Sequence, residues 1–151
     1  GGTVSLSDLL DEAETHAAPN IALAAIKYAD LSNGLQKDYV FDAERMVQTT
    51  GDTGPYLQYA HARVSQILRK AAAEANPNVD PEADLDAMDW GRISVLDEPA
   101  EQQLALLLYE QCPVLRSTGE VRGSRLALCA ATRRVLGRGL DLLGIDAPDR
   151  M

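Results

Sequence analysis

The sequence contains little of what strands, membrane helices and secretory signals require. Only 5% of its 151 residues are aromatic, and "DYVF" (residues 38–41) is the best, and a short, candidate for a strand. The longest compact apolar run, residues 104–109, falls far short of the roughly 20 residues that span a membrane. Residues 1–14 lack the basic stretch and apolar core of a signal peptide. The hydrophobic content of 46% indicates a folded chain, and the length of 151 residues indicates one domain. Without a membrane span or a signal peptide, we expect a cytoplasmic protein.

The residue patterns of common active sites are also missing. No HExxH, GxSxG or phosphate-binding glycine loop occurs, so we predict no catalytic residue and no metal site. His16 and His61 lie far apart without nearby ligands, and each is expected to be an ordinary surface or edge histidine. Cys112 and Cys129 form no CxxC pair, which favours reduced thiols and leaves a disulfide as the alternative.

The charge is negative overall but unevenly distributed along the chain. The net charge is −9, yet residues 112–151 contain seven arginines and only four acidic residues. A local positive face of this kind can bind a polyanion even on an acidic protein. The alternative is that these arginines lie on a solvated helix face.

Apolar residues recur every three or four positions through most of the chain, so we predict an all-α helical bundle. Residues 1–16, 20–75 and 120–144 are expected to be largely helical. The proline-punctuated residues 76–90 should form an exposed connector with at most one helical turn. Helix starts are expected at Ser5 or Ser7, Pro19, Asp42, Gly54 and Asp97, and one helix end at Gly34.

The stretch "PYLQYAHAR" (residues 55–63) begins the longest of these predicted helices. Tyr56 and Tyr59 are three residues apart and therefore share one face of the helix. They form either an aromatic part of the core or a surface that stacks on a flat ligand. The predicted buried stripe of this helix comprises Leu57, Ala60, Val64, Ile67, Leu68 and Ala71.

Three segments carry motifs of one known family. They are "AAIKYADLS" (24–32), "DYVFDAERMVQTTGDTGPYLQYAHARVSQILRKA" (38–71) and "SRLALCAATRRVLGRGLDLLGIDAPDRM" (124–151). The combination of KYADLS, F(D/E)xxRM before G(D/N)TxPYxQYAxxR, and AP(D/E)RM resembles the C-terminal anticodon-binding (DALR) domain of arginyl-tRNA synthetases, which are class I aminoacyl-tRNA synthetases. The opening "GGTVSLSDLLDEA" resembles the stretch after the signature loop of the catalytic domain in the same family.

This resemblance implies both a fold and a function. Residues 17–151 would form a helical bundle of the class I synthetase anticodon-binding type, and residues 1–16 the tail of the catalytic domain or a connector. The partners would be the anticodon stem-loop of tRNA(Arg) and a catalytic domain in the same polypeptide, with no membrane or DNA partner. The arginine–tRNA ligase activity, with its ATP and Mg²⁺, would belong to that catalytic domain, and this chain would hold no cofactor.

The resemblance also implies a set of RNA-binding residues. By motif position these are Asp52, Tyr56, Tyr59, Arg63, Tyr109 and Met151. Aromatic rings suit stacking on unstacked loop bases, and an arginine can pair with a backbone phosphate. Two alternatives stay open, namely that Tyr59 belongs mainly to the core and that Met151 has no role. Tyr28 and Tyr39 are assigned to packing.

The sequence departs from the family pattern in two places. The region of residues 16–20 looks shortened, and about thirty residues of the bundle are missing around residues 106–109. Either the protein carries true deletions, or Leu108 and Tyr109, and Ala18 and Pro19, are not consecutive in the parent chain. A second function therefore stays open, in which a non-catalytic paralogue or scaffold uses the bundle for protein–protein contacts.

Overall fold

Helices are the only regular secondary structure in the part of the chain that the structure describes. The computed structural model describes residues 4–33, 40–90 and 114–151, and none of these residues lies in a strand. The α-helices in these ranges are α1 (Leu6–Glu14), α2 (Pro19–Ser32), α3 (Ala43–Met46), α4 (Gly54–Ala75) and α5 (Gly119–Leu142), and Val114–Arg116 forms a 3-10 helix. The all-α prediction is confirmed. No helix within these ranges is long and apolar enough to cross a membrane.

The helix starts follow the expected capping chemistry. The Ser5 hydroxyl accepts a hydrogen bond from the Asp8 amide at 3.2 Å, and the Asp42 carboxylate accepts one from the Arg45 amide at 3.1 Å. Pro19 occupies the first turn of α2, where its missing N–H has no intrahelical partner to lose. These three predictions are confirmed.

The other boundary predictions have mixed outcomes. Residues 76–90 contain turns and no α-helix, as predicted, but they are not exposed throughout, because Leu85 is 2% exposed and lies in an apolar cluster. The described part of residues 20–75 is largely helical, as predicted, and residues 47–53 form a loop between α3 and α4. Residues 40 and 41 are not in a strand, and the rest of "DYVF" lies outside the described residues. The predicted helix end at Gly34 and helix start at Asp97 also lie outside them.

The end of α5 has a defined hydrogen-bond pattern. The Ile145 amide donates to the Leu140 carbonyl at 2.8 Å, and the Gly144 amide donates to the Asp141 carbonyl at 2.9 Å. Gly144 has a φ of 64°, the left-handed conformation that this Schellman arrangement requires. Ile145 and Leu140 also share one apolar cluster, so α5 ends in a turn that directs the following residues back onto buried surface.

The chain divides into two compact units. The first unit comprises Gly1–His61, Leu136–Asp149 and Met151. In it, α1, α2 and α3 pack on one another around Ala13, Ala22, Ile26 and Ala43. A separate cluster of Ala24, Leu140 and Ile145 contacts the ring of Tyr28 and the side chain of Leu57.

The second unit comprises Ala62–Val135 together with Arg150. Its apolar cluster joins α4 residues to the connector and α5, and contains Val64, Leu68, Leu85, Val114, Leu128, Cys129 and Ala130. The Trp90 indole donates to the Leu85 carbonyl at 2.7 Å, which ties the connector to this cluster. Cys129 is fully buried there, and Cys112 lies outside the described residues.

Most of the arginines in residues 112–151 contact acidic or core groups of the second unit. Arg122 binds Glu74 and Arg150 binds Glu82, each with a nitrogen–oxygen distance of 2.6 Å. Arg133 binds Asp86 at 2.6 Å. Arg134 binds the same carboxylate at 3.3 Å, and Arg125 is 6% exposed. The local positive charge is therefore partly neutralised by the acidic residues of α4 and the connector.

Candidate nucleic-acid interface

Tyr56 and Tyr59 lie on the first two turns of α4 in the first unit. Both side chains are half-buried, so each ring combines packing contacts with an accessible part. Residues three apart on a helix are neighbours on its surface. The two tyrosines therefore share one face of α4 and are each partly accessible to solvent, and Tyr59 is not fully in the core.

The start of α4 is held in place by Thr53 and Gly54. The Thr53 hydroxyl accepts from the Tyr56 amide at 3.1 Å and donates to the Gln48 carbonyl at 2.6 Å. A Cβ on Gly54 would lie 2.2 Å from the Ala24 carbonyl oxygen, so only glycine allows α4 to approach the α2 backbone this closely. The main chain at Tyr56 is thus fixed by the hydrogen bond to Thr53 and by the close contact of Gly54 with α2.

Asp52 lies in the loop just before α4 and is exposed. The Tyr28 hydroxyl donates a hydrogen bond to its carboxylate. This hydrogen bond, burial of the ring and the nearby negative charge together raise the pKa of Tyr28 to about 12. Tyr28 packs as expected, and it also ties the Asp52 loop to α2.

The remaining predicted RNA-binding residues are placed as follows. Met151 is 48% exposed and belongs to the first unit. Arg63 is exposed, lies on α4 and belongs to the second unit. Tyr109, like Tyr39, lies outside the described residues. Four of the six predicted side chains, namely Asp52, Tyr56, Tyr59 and Met151, are therefore in the first unit.

The prediction for His61 as a surface or edge histidine is wrong, whereas His16 is exposed as expected. His61 is 3% exposed and Gln58 is 0% exposed, so two polar side chains of "PYLQYAHAR" lie on the buried face of α4. The sequence gives no signal for this, because polar residues three apart on an amphipathic helix indicate its solvent face. These two residues were not among the predicted site residues.

Three side chains of the first unit hold the residues that follow α5 by their main-chain carbonyls. Lys27 donates to the Gly144 carbonyl, and the Gln58 amide donates to the Asp146 carbonyl at 2.9 Å. The His61 Nδ1 atom lies 3.0 Å from the Pro148 carbonyl. Because a carbonyl oxygen only accepts, Nδ1 carries the proton. We call the carbonyls of residues 144, 146 and 148 the carbonyl row.

The chemistry available at this surface is stacking and hydrogen bonding. Within residues 4–33, 40–90 and 114–151, no group of three or more His, Cys, Asp or Glu side chains could hold a metal ion. Among the predicted residues, the first unit offers the two aromatic side chains of Tyr56 and Tyr59, the thioether of Met151 and the carboxylate of Asp52. This set of groups suits a flat aromatic ligand.

The chain matches known proteins over its full length. Residues 103–151 match the family model "DALR anticodon binding domain". An arginine–tRNA ligase from Cutibacterium acnes is 82% identical over an alignment that covers 100% of this chain and 33% of that protein. One from Frankia casuarinae is 38% identical over 100% of this chain and 32% of its own length. The chain thus spans about one third of the curated relatives that it matches.

Solved structures agree with these matches. The arginyl-tRNA synthetase of Thermus thermophilus superimposes with a TM-score of 0.69 at 28% identity, covering 100% of this chain and 33% of that one. The Plasmodium falciparum enzyme superimposes with a TM-score of 0.67 at 20% identity, covering 98% of this chain and 34% of that one, and supports the fold alone.

The relatives also carry positions that this chain lacks. The alignment with the Cutibacterium protein spans 184 positions, 33 more than the 151 residues here. The alignment length does not show where in the chain these positions fall, so the roughly thirty residues expected to be missing stay a prediction. Their predicted place around residues 106–109 lies outside the described residues. The shortening near residues 16–20 stays a prediction.

Proposed function

Since the chain belongs to the arginyl-tRNA synthetase family and corresponds to its anticodon-binding domain, we propose that it holds the anticodon stem and loop of tRNA(Arg). In the whole enzyme a catalytic domain of the same polypeptide would attach arginine to the bound tRNA. ATP and Mg²⁺ would be bound by that catalytic domain, and no residue of this chain is assigned to them. The role of this chain is to position the RNA.

The paired rings of Tyr56 and Tyr59 carry this proposal. They are half-buried and adjacent, and the main chain beneath them is held by Thr53 and by the close approach of Gly54 to α2. A stacking surface that is already ordered loses little conformational entropy when a base binds. Unpaired bases of a loop have accessible faces for such stacking, whereas paired bases in a stem do not.

The test compares three forms of a full-length arginine–tRNA ligase that carries these residues. Tyr56→Ala removes the ring, and Tyr56→Phe keeps it without the hydroxyl. Loss of one stack costs about 1–3 kcal/mol. The alanine variant should therefore bind tRNA(Arg) roughly five- to 150-fold more weakly.

The kinetic signature distinguishes an RNA-positioning role from a general loss of activity. The KM for tRNA should rise while kcat at saturating tRNA changes little, because the ring is assigned to binding and not to the chemical step. Tyr56→Phe should behave almost as the wild type. Unchanged tRNA affinity in Tyr56→Ala would contradict the proposal and favour the scaffold function.

A further inference from the structure

Gln58 and His61 have no part in the stacking surface, although they share its two helical turns. Each lies two residues after one of the tyrosines, which is about 200° around the helix axis. The same turns of α4 therefore direct aromatic rings to one side and two buried polar side chains to the other. The polar pair contacts the main chain at Asp146 and Pro148.

Burying this pair carries a cost that packing alone does not require. Gln58 and His61 are 0% and 3% exposed, and the Gln58 side-chain carbonyl has no hydrogen-bond partner within the described structure. An apolar side chain would fill the same volume without an unsatisfied polar atom. Unlike an apolar side chain, a polar donor makes a directional hydrogen bond, and this bond fixes the position of the acceptor.

Both donors meet the segment that leads to Met151. The Nε2 side of the His61 ring faces Gly137, where a Cβ would come within 3.4 Å, so the imidazole fits between α5 and this segment. The Asp149 carboxylate lies 3.9 Å from Nδ1. Ile145 is 4% exposed and packs in the cluster of Ala24 and Leu140. This apolar contact holds the segment in addition to the hydrogen bonds.

We propose that Gln58 and His61 are positioning residues for RNA binding, which fix residues 145–149 through the carbonyl row and so present Met151 to the tRNA. This inference rests on the proposed function. The pair does not touch RNA, and its effect on RNA binding passes through Met151.

The first arm of the test needs no RNA. Hydrogen exchange of residues 145–151 is measured in the full-length enzyme for wild type, His61→Ala, His61→Asn and Gln58→Leu. We expect exchange in His61→Ala and Gln58→Leu to be at least about tenfold faster in this segment alone, because local opening of the segment becomes easier. His61→Asn keeps a donor near Nδ1 and should restore much of the protection.

Gln66→Leu is the matched control. Gln66 lies on the same helix and is exposed, so the identical chemical change there should leave exchange in residues 145–151 unchanged. Unchanged exchange in both His61→Ala and Gln58→Leu would overturn the proposal at its first step. If Gln58→Leu does not fold, the comparison of His61→Ala with His61→Asn gives the same decision.

The second arm measures the KM for tRNA(Arg) and kcat in a double-mutant cycle of His61→Ala with Met151→Ala. If His61 acts through Met151, each single change raises the KM several-fold and leaves kcat unchanged, and the double variant is no worse than Met151→Ala. Additive effects, or an unchanged KM in His61→Ala, would overturn the positioning role. Tyr56→Ala in the same assay reports separately on the proposed function.

Discussion

The hydroxyl of Tyr28 donates a hydrogen bond to the carboxylate of Asp52, and this bond links α2 to the loop that precedes α4. Ionisation of the phenol would remove the donor and place a second negative charge beside the carboxylate. The raised pKa of Tyr28, about 12, is the consequence. The loop that precedes the paired tyrosines is thus bonded to α2 through Asp52 and to the start of α4 through Thr53.

The first prediction concerns the removal of the Tyr28 hydroxyl. Tyr28→Phe keeps the ring in its apolar cluster and should lower the free energy of unfolding by about 0.5–1 kcal/mol, since the contact is accessible to water. Because the folded-state pKa is raised from 10.0 to about 12, this contribution is complete below pH 10.0 and is lost as the pH rises through about 12. Urea unfolding of both proteins at neutral and alkaline pH measures the difference.

An ultraviolet titration checks the same prediction directly. The wild type should show a component for Tyr28 that ionises near pH 12, and this component should be missing from the Tyr28→Phe titration curve. A titration in which both proteins lose the same number of tyrosine protons in that range would contradict the bond to Asp52.

The second prediction concerns Gly54, where an added methyl group would meet the Ala24 carbonyl. Gly54→Ala should destabilise the fold by about 1–3 kcal/mol, although alanine is normally the better helix former. Gly123→Ala is the control, because Gly123 is also helical and nothing lies within 4 Å of its missing Cβ. That variant should gain about 0.5–1 kcal/mol. Urea unfolding followed by circular dichroism should show opposite signs for the two variants.

The third prediction concerns the pH dependence of the Asp86 ion pairs. Burial alone would raise the pKa of Asp86, but the hydrogen bonds and charges of Arg133 and Arg134 outweigh it and hold that pKa below its usual value of 3.8. A lowered folded-state pKa contributes stability above the unfolded-state value, and this stability is lost as the pH falls through the folded-state value.

Asp86→Asn should therefore be less stable than the wild type at neutral pH, by up to about 1 kcal/mol for such an accessible pair. The difference should disappear as the pH falls through the lowered pKa of Asp86, where the wild-type carboxyl becomes protonated. Asp30→Asn, an exposed carboxylate on α2, is the control and should show no comparable change. A stability difference that stayed constant across this pH range would exclude the ion pairs as its cause.

The fourth prediction concerns Arg63 and the salt dependence of tRNA binding. If Arg63 neutralises one phosphate, Arg63→Ala should lower the slope of log affinity against log salt by about 0.7–0.9, because one fewer counterion is released. Arg63→Lys keeps the charge and should keep the slope. Equal slopes in all three proteins would remove Arg63 from the set of phosphate contacts.

Local chemistry made much of the fold predictable. Ser5, Asp42 and Pro19 act at helix starts through contacts within a few residues, and such contacts are written in the sequence itself. The prolines of residues 76–90 indicate the connector for the same reason. The 3.6-residue spacing of apolar side chains identified α4 and α5 because it repeats over several turns of each helix.

The buried face of α4 could not be predicted in the same way. The buried face was predicted from the spacing of apolar side chains. That spacing indicated Leu57 and Ala60, which are half-buried, and did not indicate Gln58 and His61, which are almost fully buried. Their donors are satisfied by carbonyls that lie almost ninety residues later in the chain. Only the tertiary fold brings these partners together. Every residue has a backbone carbonyl, so the sequence does not show which carbonyl will accept a hydrogen bond.

The carbonyl row makes residues 144–148 sensitive to length, and places no demand on the side chains of Asp146 and Pro148, whose main-chain carbonyls are the acceptors. Every residue has a main-chain carbonyl, proline included, so Asp146 and Pro148 could be exchanged for other residues while Lys27, Gln58 and His61 kept their acceptors. One residue inserted or deleted between residues 144 and 148 would instead shift the carbonyls after the change relative to those before it, so that the three donors could no longer all reach their acceptors. Natural variation in this segment should therefore consist of substitutions, while its spacing from Gly144 stays fixed.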